Sequence, residues 1–309
     1  MIFSVIIPSY GDINNLDNII NYLIEFKYNK EFYLNNIYII YCCGLNPKIL
    51  SIIFKYNFVK LIIEKERKGK AHAINLALEK DNSDIIVVHS ADCLTNYKSI
   101  KNILTKFKED SVGGVIPLSH PLISKNSLME KISATSWLLL NETINKLDFE
   151  DSLLTLGNDI YAFRRECLNI IPENIVNEDA FIAIVLKSRG YKIKLANEAI
   201  TYINTTKKLS EYLKQRERIN YGHELNYRIS KVRTSSFRWI LIYKPFKAMK
   251  IIKEFIKNYK ELSFHLFLLV YIEMVSIIIY KINLFSKKDY IRWSIAYSTK
   301  NQIKLIETY

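Results

Sequence analysis

Short, continuous apolar runs alternate with stretches of helical spacing through the first two hundred residues. FSVIIP (3–8), NIYIIYCC (36–43), FVKLIIE (58–64) and DIIVVHSAD (84–92) have the length and β-branched content of buried strands. Between them, LDNIINYLIEFK (16–27) places Leu16, Ile19, Ile20, Leu23 and Ile24 on one helical face. NPKILSIIFKY (46–56) opens with Asn at the N-cap and Pro at the first helical position, and GKAHAINLALEK (69–80) reads as a third helix. This order predicts an α/β fold, with a mainly parallel central sheet and helices on both faces. Ligands on such sheets bind beyond the carboxyl ends of the strands. The tips at Ser9-Tyr10, Cys43-Gly44, Glu64 and Asp92 are therefore expected to share one crevice.

The later pattern is less regular. It predicts a long helix over 124–146, a strand or hairpin entering a helix over 155–167, and a helix over 178–189 closed by Gly190. A strand over 191–196 and a helix over 209–223 follow, with no internal repeat or low-complexity linker. From about 236 the character changes, which divides the chain into an α/β domain (1–235) and a basic, hydrophobic helical region (236–309). RWILIYKPFKAMKIIKEFIKNYKEL (238–262) is broken by Pro245. After the break, Phe246, Met249, Ile252, Phe255, Ile256 and Tyr259 fit one apolar face, while Lys247, Lys250, Lys253, Lys257 and Lys260 recur on another, the pattern of an interfacial helix. LSFHLFLLVYIEMVSIIIY (262–280) is the most apolar segment and, as a helix, reaches about 28 Å, close to a bilayer core. His265, Glu273, Ser276 and Tyr280 form one polar stripe on it. Such a helix lies in a membrane interface, spans with its stripe packed on protein, or sits in a soluble core.

At 309 residues the chain is long enough for one large or two modest cores. Its formal net charge of +13 points to anionic partners. Much of that charge follows residue 206, beside the long apolar runs, which favours an anionic membrane surface over nucleic acid. No RNA-binding signature or zinc-finger spacing is present. The four cysteines, Cys42, Cys43, Cys93 and Cys167, form no metal or redox spacing and fit a reducing compartment. MIFSVIIPSY lacks the charged region and cleavage site of a signal peptide and reads as a strand.

Four constellations carry candidate chemistry. Asp92 ends a strand where a carboxylate can hold a divalent cation on phosphate oxygens, or can cap the next helix. Arg67, Lys68 and Lys70 surround Gly69 at a strand-to-helix turn, a phosphate-binding arrangement or a solvated basic turn. Glu178 and Asp179 open a helix, where the helix dipole favours acids. Adjacent residues point about 100° apart, so one of the two is expected to face the crevice as a general base. Gln215, Arg216 and Arg218 offer forked donors to phosphate, with 215 and 218 on one face and Arg216 directed elsewhere, toward the acidic pair.

In this order the segments resemble a family-2 glycosyltransferase of the GT-A fold, over roughly residues 2–225. SVIIPSYGD is similar to its opening strand and nucleotide loop, EKERKGKAHAINLAL to its Arg-x-Gly-Lys-x-x-Ala-x-Asn segment, and HSAD to its Asp-x-Asp metal motif. GNDIYAFRREC resembles its acceptor segment, NEDAFIAIVLKSRGYKI its Glu-Asp segment, and QRERI the Gln-x-x-Arg-Trp motif of membrane-associated members. The resemblance implies an inverting transferase that moves a sugar from a nucleotide-diphosphate sugar, a UDP-sugar by expectation, to a lipid-linked or cell-surface glycan. It implies Asp179 as the base beside Glu178, and Asp92 as ligand to Mg2+ or Mn2+. It implies donor binding by Pro8, Ser9, Tyr10, Arg67, Lys70, Asn75, Ser90, Ala91, Gln215, Arg216 and Arg218. Residues 1–235 would be the catalytic domain and 236–309 the membrane-associating part, at the cytoplasmic face as a peripheral or single-span protein. Three positions depart from the pattern: Ser90 replaces the first motif Asp, Cys42-Cys43-Gly44 replace a nucleotide-contacting Asp, and Ile219 replaces the Trp. A sugar-phosphate nucleotidyltransferase and a non-catalytic basic membrane-binding protein are the alternatives.

Overall fold

A computed structural model describes residues 1–10, 13–42, 44, 46–283, 290–292 and 296–303. Cys43, one of the expected strand-tip residues, lies outside the described residues. The strands are β1 (Ile2–Ser9), β2 (Tyr33–Cys42), β3 (Val59–Glu64), β4 (Ile85–His89), β5 (Cys93–Leu94), β6 (Val112–Leu122), β7 (Ile160–Arg164) and β8 (Lys192–Asn204). They form one sheet in the order β3-β2-β1-β4-β7-β6-β8-β5. β1 to β4 run parallel, as do β6 and β8, whereas β7 is antiparallel to both its neighbours. The helices are α1 (Leu16–Ile24), α2 (Pro47–Lys55), α3 (Lys70–Leu78), α4 (Tyr97–Thr105), α5 (Leu128–Phe149), α6 (Glu178–Ser188), α7 (Leu209–Ser230), α8 (Phe237–Tyr243), α9 (Pro245–Asn258) and α10 (Ser263–Asn283).

The apolar runs behave as their pattern dictates. Ile6, Ile40, Ile86 and Val88 face one core with α3 and α5, while Val5, Ile7, Ile39 and Val87 face the other with α1 and α4. Period-two alternation thus feeds two cores from one sheet. Asn46 caps α2 as expected, accepting from the Lys48 N–H at 2.9 Å.

β6 escapes the pattern because Gly113, Gly114, Pro117 and Pro121 interrupt its apolar run. The interruptions have structural causes. A Cβ on Gly113 would lie 2.5 Å from Cβ of Tyr191, and one on Gly114 2.7 Å from Cδ1 of Leu186. The bare backbone lets α6 settle on the sheet. β6 pairs with β7 only at Gly114 and Val115, so both prolines fall where that edge carries no ladder bond. β8 also continues past its predicted end at 196. Its ladder with β6 shifts register between Pro117↔Ala196 and Leu118↔Ile200, and that irregularity breaks the apolar periodicity.

The C-terminal helices form a layer against α5 and α7. The stripe predicted on 262–280 turns inward: Glu273 pairs with Arg216 Nε at 2.6 Å and accepts from the Tyr212 hydroxyl at 3.0 Å. Asn220 donates to Ser276 at 3.2 Å, and Tyr280 is buried. His265 departs from the expected stripe, since it is only partly buried and its Nδ1 has no hydrogen-bond partner. On the opposite side, Phe264, Phe267, Tyr271, Met274, Ile278 and Ile282 are each 57–74% exposed. The apolar face predicted for α9 is split. Ala248, Ile251 and Phe255 are buried in the core that includes α5, while Phe246, Met249 and Ile256 point outward with most of the lysines.

Candidate active site

A cavity of about 490 Å³ opens beyond the carboxyl ends of the central strands. The end of β1 contributes Pro8 and Ser9, the residue after it Tyr10, and the turn after β4 Ser90, Ala91 and Asp92. Arg67 and Lys70 come from the turn into α3, and Glu178 and Asp179 from the first turn of α6. Gln215, Arg216 and Arg218 enter from α7. Residues separated by more than a hundred positions therefore line one space: the parallel strands put their following loops on one side, and the first turn of α6 joins them there after the chain returns from antiparallel β7.

The approach of α7 to α6 depends on Gly222. A Cβ there would sit 2.3 Å from Cγ of Asn177. Without it, Asn177 reaches across to donate to the Ile219 carbonyl at 3.0 Å, and Asn226 donates back to the Asn177 carbonyl at 2.9 Å. This double clasp fixes the acidic pair against the α7 cations.

The two acids then part in role. Glu178 is buried, ion-paired to Lys70 Nζ at 2.7 Å, and accepts from the Tyr161 hydroxyl at 3.3 Å. Burial lowers the Lys70 ammonium, and Glu178, joined by the charges of Asp179 and Asp159, more than offsets it, so the net shift is upward. Asp179 keeps a face toward the cavity and takes the Ala180 N–H at 2.7 Å. Burial, reinforced by the Glu178 charge, pushes its carboxyl up to about 6. A carboxylate poised there is ionised at neutral pH yet basic enough to take a proton. Gly157 leaves room beside it: a Cβ would come within 3.4 Å of Asp179 Oδ2.

Asp92 also differs from its simplest reading as a cap, because Asn96 caps α4 by accepting from the Ser99 N–H. Lys300, 208 positions away, reaches Asp92 Oδ2 at 2.7 Å. Burial would raise Asp92, but Lys300 outweighs it and holds the carboxyl below its usual value. Asp159, which lines the same cavity, is pushed up to about 6 by burial and by the Asp92 charge. Its place follows from the ladder, since His89 pairs with Ile160 and the Ser90 N–H donates to the Asp159 carbonyl at 2.9 Å. Among the described residues no group of three His, Cys, Asp or Glu side chains forms a protein-only metal cage. A hard divalent cation held on phosphate needs only one or two protein carboxylates, and Asp92 with Asp159 fits that donor set.

Two sequence expectations need correction. Asn75 does not line the cavity. Its amide donates to the Ile171 carbonyl at 2.7 Å and accepts from the Ile171 N–H at 2.9 Å, so it ties α3 to the loop after β7. Arg216 lines the cavity, but its partner is Glu273 on α10 rather than the acidic pair. Its neighbour Arg218 faces the site: burial lowers its guanidinium, opposed by Glu178, Asp179 and Asp159. Arg67 stacks over the Tyr10 ring at 4.4 Å. Asp159 was legible only as part of GNDIYAFRREC, and nothing in its local sequence marks Lys300.

Comparisons with known proteins fit this geometry. The residue pattern of the family described as "Glycosyltransferase like family 2" matches residues 3–222. The poly-beta-1,6-N-acetyl-D-glucosamine synthase of Staphylococcus aureus is 22% identical over 245 residues, covering 75% of this chain and 58% of the synthase. The chain thus spans little more than half the length of that relative. The mannosyltransferase PcManGT of Pyrobaculum calidifontis, solved with GDP-Man and Mn2+, superposes with a TM-score of 0.63 at 16% identity, over 93% of this chain and 88% of that one. The glucosyl-3-phosphoglycerate synthase of Mycobacterium tuberculosis, solved with Mn2+, uridine diphosphate and phosphoglyceric acid, superposes with a TM-score of 0.52 at 12% identity, over 72% and 78%. With a mainly parallel sheet of the GT-A kind, and with the family pattern running from β1 through the cations of α7, the chain belongs to the glycosyltransferase family 2-like proteins.

Proposed function

We propose that the protein is an inverting glycosyltransferase with Asp179 as its general base and a UDP-sugar as donor. The observation that carries this reading is a cavity-facing Asp179 carboxyl held up to about 6, opposite Arg218 and beside the Lys70–Glu178 pair. Asp179 takes the proton of an acceptor hydroxyl while that oxygen bonds to the anomeric carbon. The bond from that carbon to the diphosphate breaks on the other side, and its electron pair leaves with the nucleoside diphosphate. Negative charge grows on the departing diphosphate, and Arg218 and Gln215 are placed to receive it. Lys70 and Arg67 orient the phosphates, Lys70 being steadied by Glu178. Glu178 is spent on that pair, which supports Asp179 rather than Glu178 as the base. Mg2+ or Mn2+, held by Asp92 and Asp159, would supply charge neutralisation on the diphosphate. Lys300 now holds Asp92 Oδ2, so an ion bound there would take the place of its ammonium.

The acceptor is a lipid-linked or cell-surface glycan, and residues 236–309 form a membrane-associating region at the cytoplasmic face. α10 is long and apolar enough to cross a bilayer. Its polar side, however, is bonded to α7, and a span would strip Glu273 from Arg216 and Tyr212. The exposed stripe and the outward lysines of α9 support a helix lying in the membrane plane.

A panel of nucleotide sugars tests the reaction class. Release of free nucleoside diphosphate, lost in chelator and restored by Mn2+, is expected; pyrophosphate release instead would assign a nucleotidyltransferase.

A further inference from the structure

Ser90, Ala91 and Asp92 turn the chain between β4 and β5, beyond the end of the β4–β7 ladder, and side chains hold the carbonyls of this turn. The Ser90 carbonyl accepts from His89 Nδ1 at 2.8 Å and from the Cys93 thiol, a weaker donor, at 3.2 Å. The Ala91 carbonyl accepts from the Asn15 amide at 3.3 Å. Asn15 stands at the N-cap of α1 but makes no capping bond with its side chain, which goes to this turn instead. Tyr22, about two turns along α1, meets His89 Nε2 through its hydroxyl. The Ser90 N–H already rests on the Asp159 carbonyl, so this one residue joins the backbones of both candidate metal carboxylates.

His89 is a costly end to an apolar strand. Ile85, Ile86, Val87 and Val88 are fully buried before it, and it is fully buried too, outside the lining of the cavity. Its ladder with Ile160 uses only backbone, so an aliphatic side chain would serve the sheet without the cost of burying an imidazole. The proton positions follow from the partners. Burial lowers the imidazole to about 4 and raises the Tyr22 phenol, so at neutral pH the ring is neutral and the phenol keeps its proton. A carbonyl oxygen has no proton to give. The single ring N–H is therefore on Nδ1, and Nε2 accepts from Tyr22. Tyr22 thus fixes the tautomer that grips the Ser90 carbonyl.

We propose that His89 is a positioning residue for the divalent cation on the diphosphate: backed by Tyr22, it holds the Ser90 carbonyl and thereby sets the aim of the Asp92 carboxylate. This deepens the glycosyl-transfer reading and rests on its assignment of Asp92 to the cation. Without the Nδ1 bond, the peptide between Ser90 and Ala91 is freer to rotate, and Asp92, two residues on, loses its preset direction. Partners that orient a metal ligand typically account for about 10–100-fold in metal affinity.

The test is Mn2+ titration of the full chain, alone and with UDP, followed by electron paramagnetic resonance. Three variants separate the donor from the bulk of the ring. His89→Asn keeps an amide N–H near the Nδ1 position and abandons Tyr22. His89→Gln reaches toward Tyr22 and abandons the Ser90 carbonyl. His89→Leu abandons both. Mn2+ affinity is expected to fall about tenfold or more in His89→Leu and His89→Gln, and to stay within about threefold of wild type in His89→Asn. His89→Asn should nonetheless melt at a lower temperature than wild type, because it leaves a cavity and an unpaired Tyr22 hydroxyl. A histidine that served only the core would not separate affinity from stability in this way. Unchanged Mn2+ affinity in folded His89→Leu, or an equal loss in His89→Asn and His89→Leu, overturns the proposal and leaves the metal assignment standing. Absence of Mn2+ binding by the wild-type chain, with and without UDP, overturns the assignment of Asp92 itself and the proposal with it.

Discussion

Arg216 and Arg218 sit two residues apart on α7 and do different work. Arg216 reaches away from the acidic pair to Glu273, where Tyr212 completes a polar contact beneath an apolar helix. Arg218 turns toward Glu178, Asp179 and Asp159. Two steps along a helix rotate a side chain by about 200°, so one short sequence serves both the fold and the site. The comparison teaches that an arginine in a motif-like run is assigned by its partner and not by its type.

Breaking the site side should cost activity first. Asp179→Asn is expected to lower transfer by about 10²–10⁴-fold while donor binding persists, checked by kcat beside calorimetric donor titration. The same change should not weaken the fold. Asp179 has its folded pKa raised to about 6, above its ordinary value near 3.8, so its ionisation opposes folding above pH 6 and this penalty vanishes as pH falls below about 4. Two units correspond to at most about 3 kcal/mol, less for the water that reaches the cavity, and Asp179→Asn should raise Tm at neutral pH.

Arg218→Ala should lower kcat by about 10²–10³-fold with little change in melting temperature, if charge on the leaving diphosphate is its concern. Arg216→Met should do the reverse. It leaves Glu273 half-buried without its cation and should lower stability by about 1–3 kcal/mol, read by denaturant unfolding. Equal effects of both variants on kcat would erase the distinction. Gly222→Ala attacks the clasp that both sides share. A Cβ 2.3 Å from Asn177 forces α7 off α6, and a loss of about 1–3 kcal/mol with reduced transfer is expected. The smallest effect is reserved for Lys300→Ala. Removing the cation at Asp92 should tighten Mn2+ binding in the absence of nucleotide by about tenfold or less, as followed by electron paramagnetic resonance. Weaker Mn2+ binding in that variant would show that Lys300 supports the site instead of competing for it.

The sheet was legible because its strands are buried on both faces and its early helices carry clean apolar spacing, as Leu16, Ile19, Ile20 and Leu23 illustrate. β6 was not, since the glycines that admit α6 are the residues that blur its pattern. The site was legible where one local segment delivers a role, as with Glu178-Asp179 and the turn around Lys70. It was illegible where the partner is remote: Lys300 meets Asp92 only in space, and Asn75 matches a motif position but spends its amide on Ile171. The polar stripe of α10 was visible in sequence, but its meaning required the cation that answers Glu273.

The central claim is that a carboxylate with a raised pKa accepts the acceptor's proton, and the pH dependence of kcat/KM tests it most directly. The rate should fall about tenfold per pH unit below an apparent pKa near 6, and this limb should be missing from the residual activity of Asp179→Asn. A wild-type profile flat down to pH 4.5, or a limb unchanged in Asp179→Asn, would contradict the account.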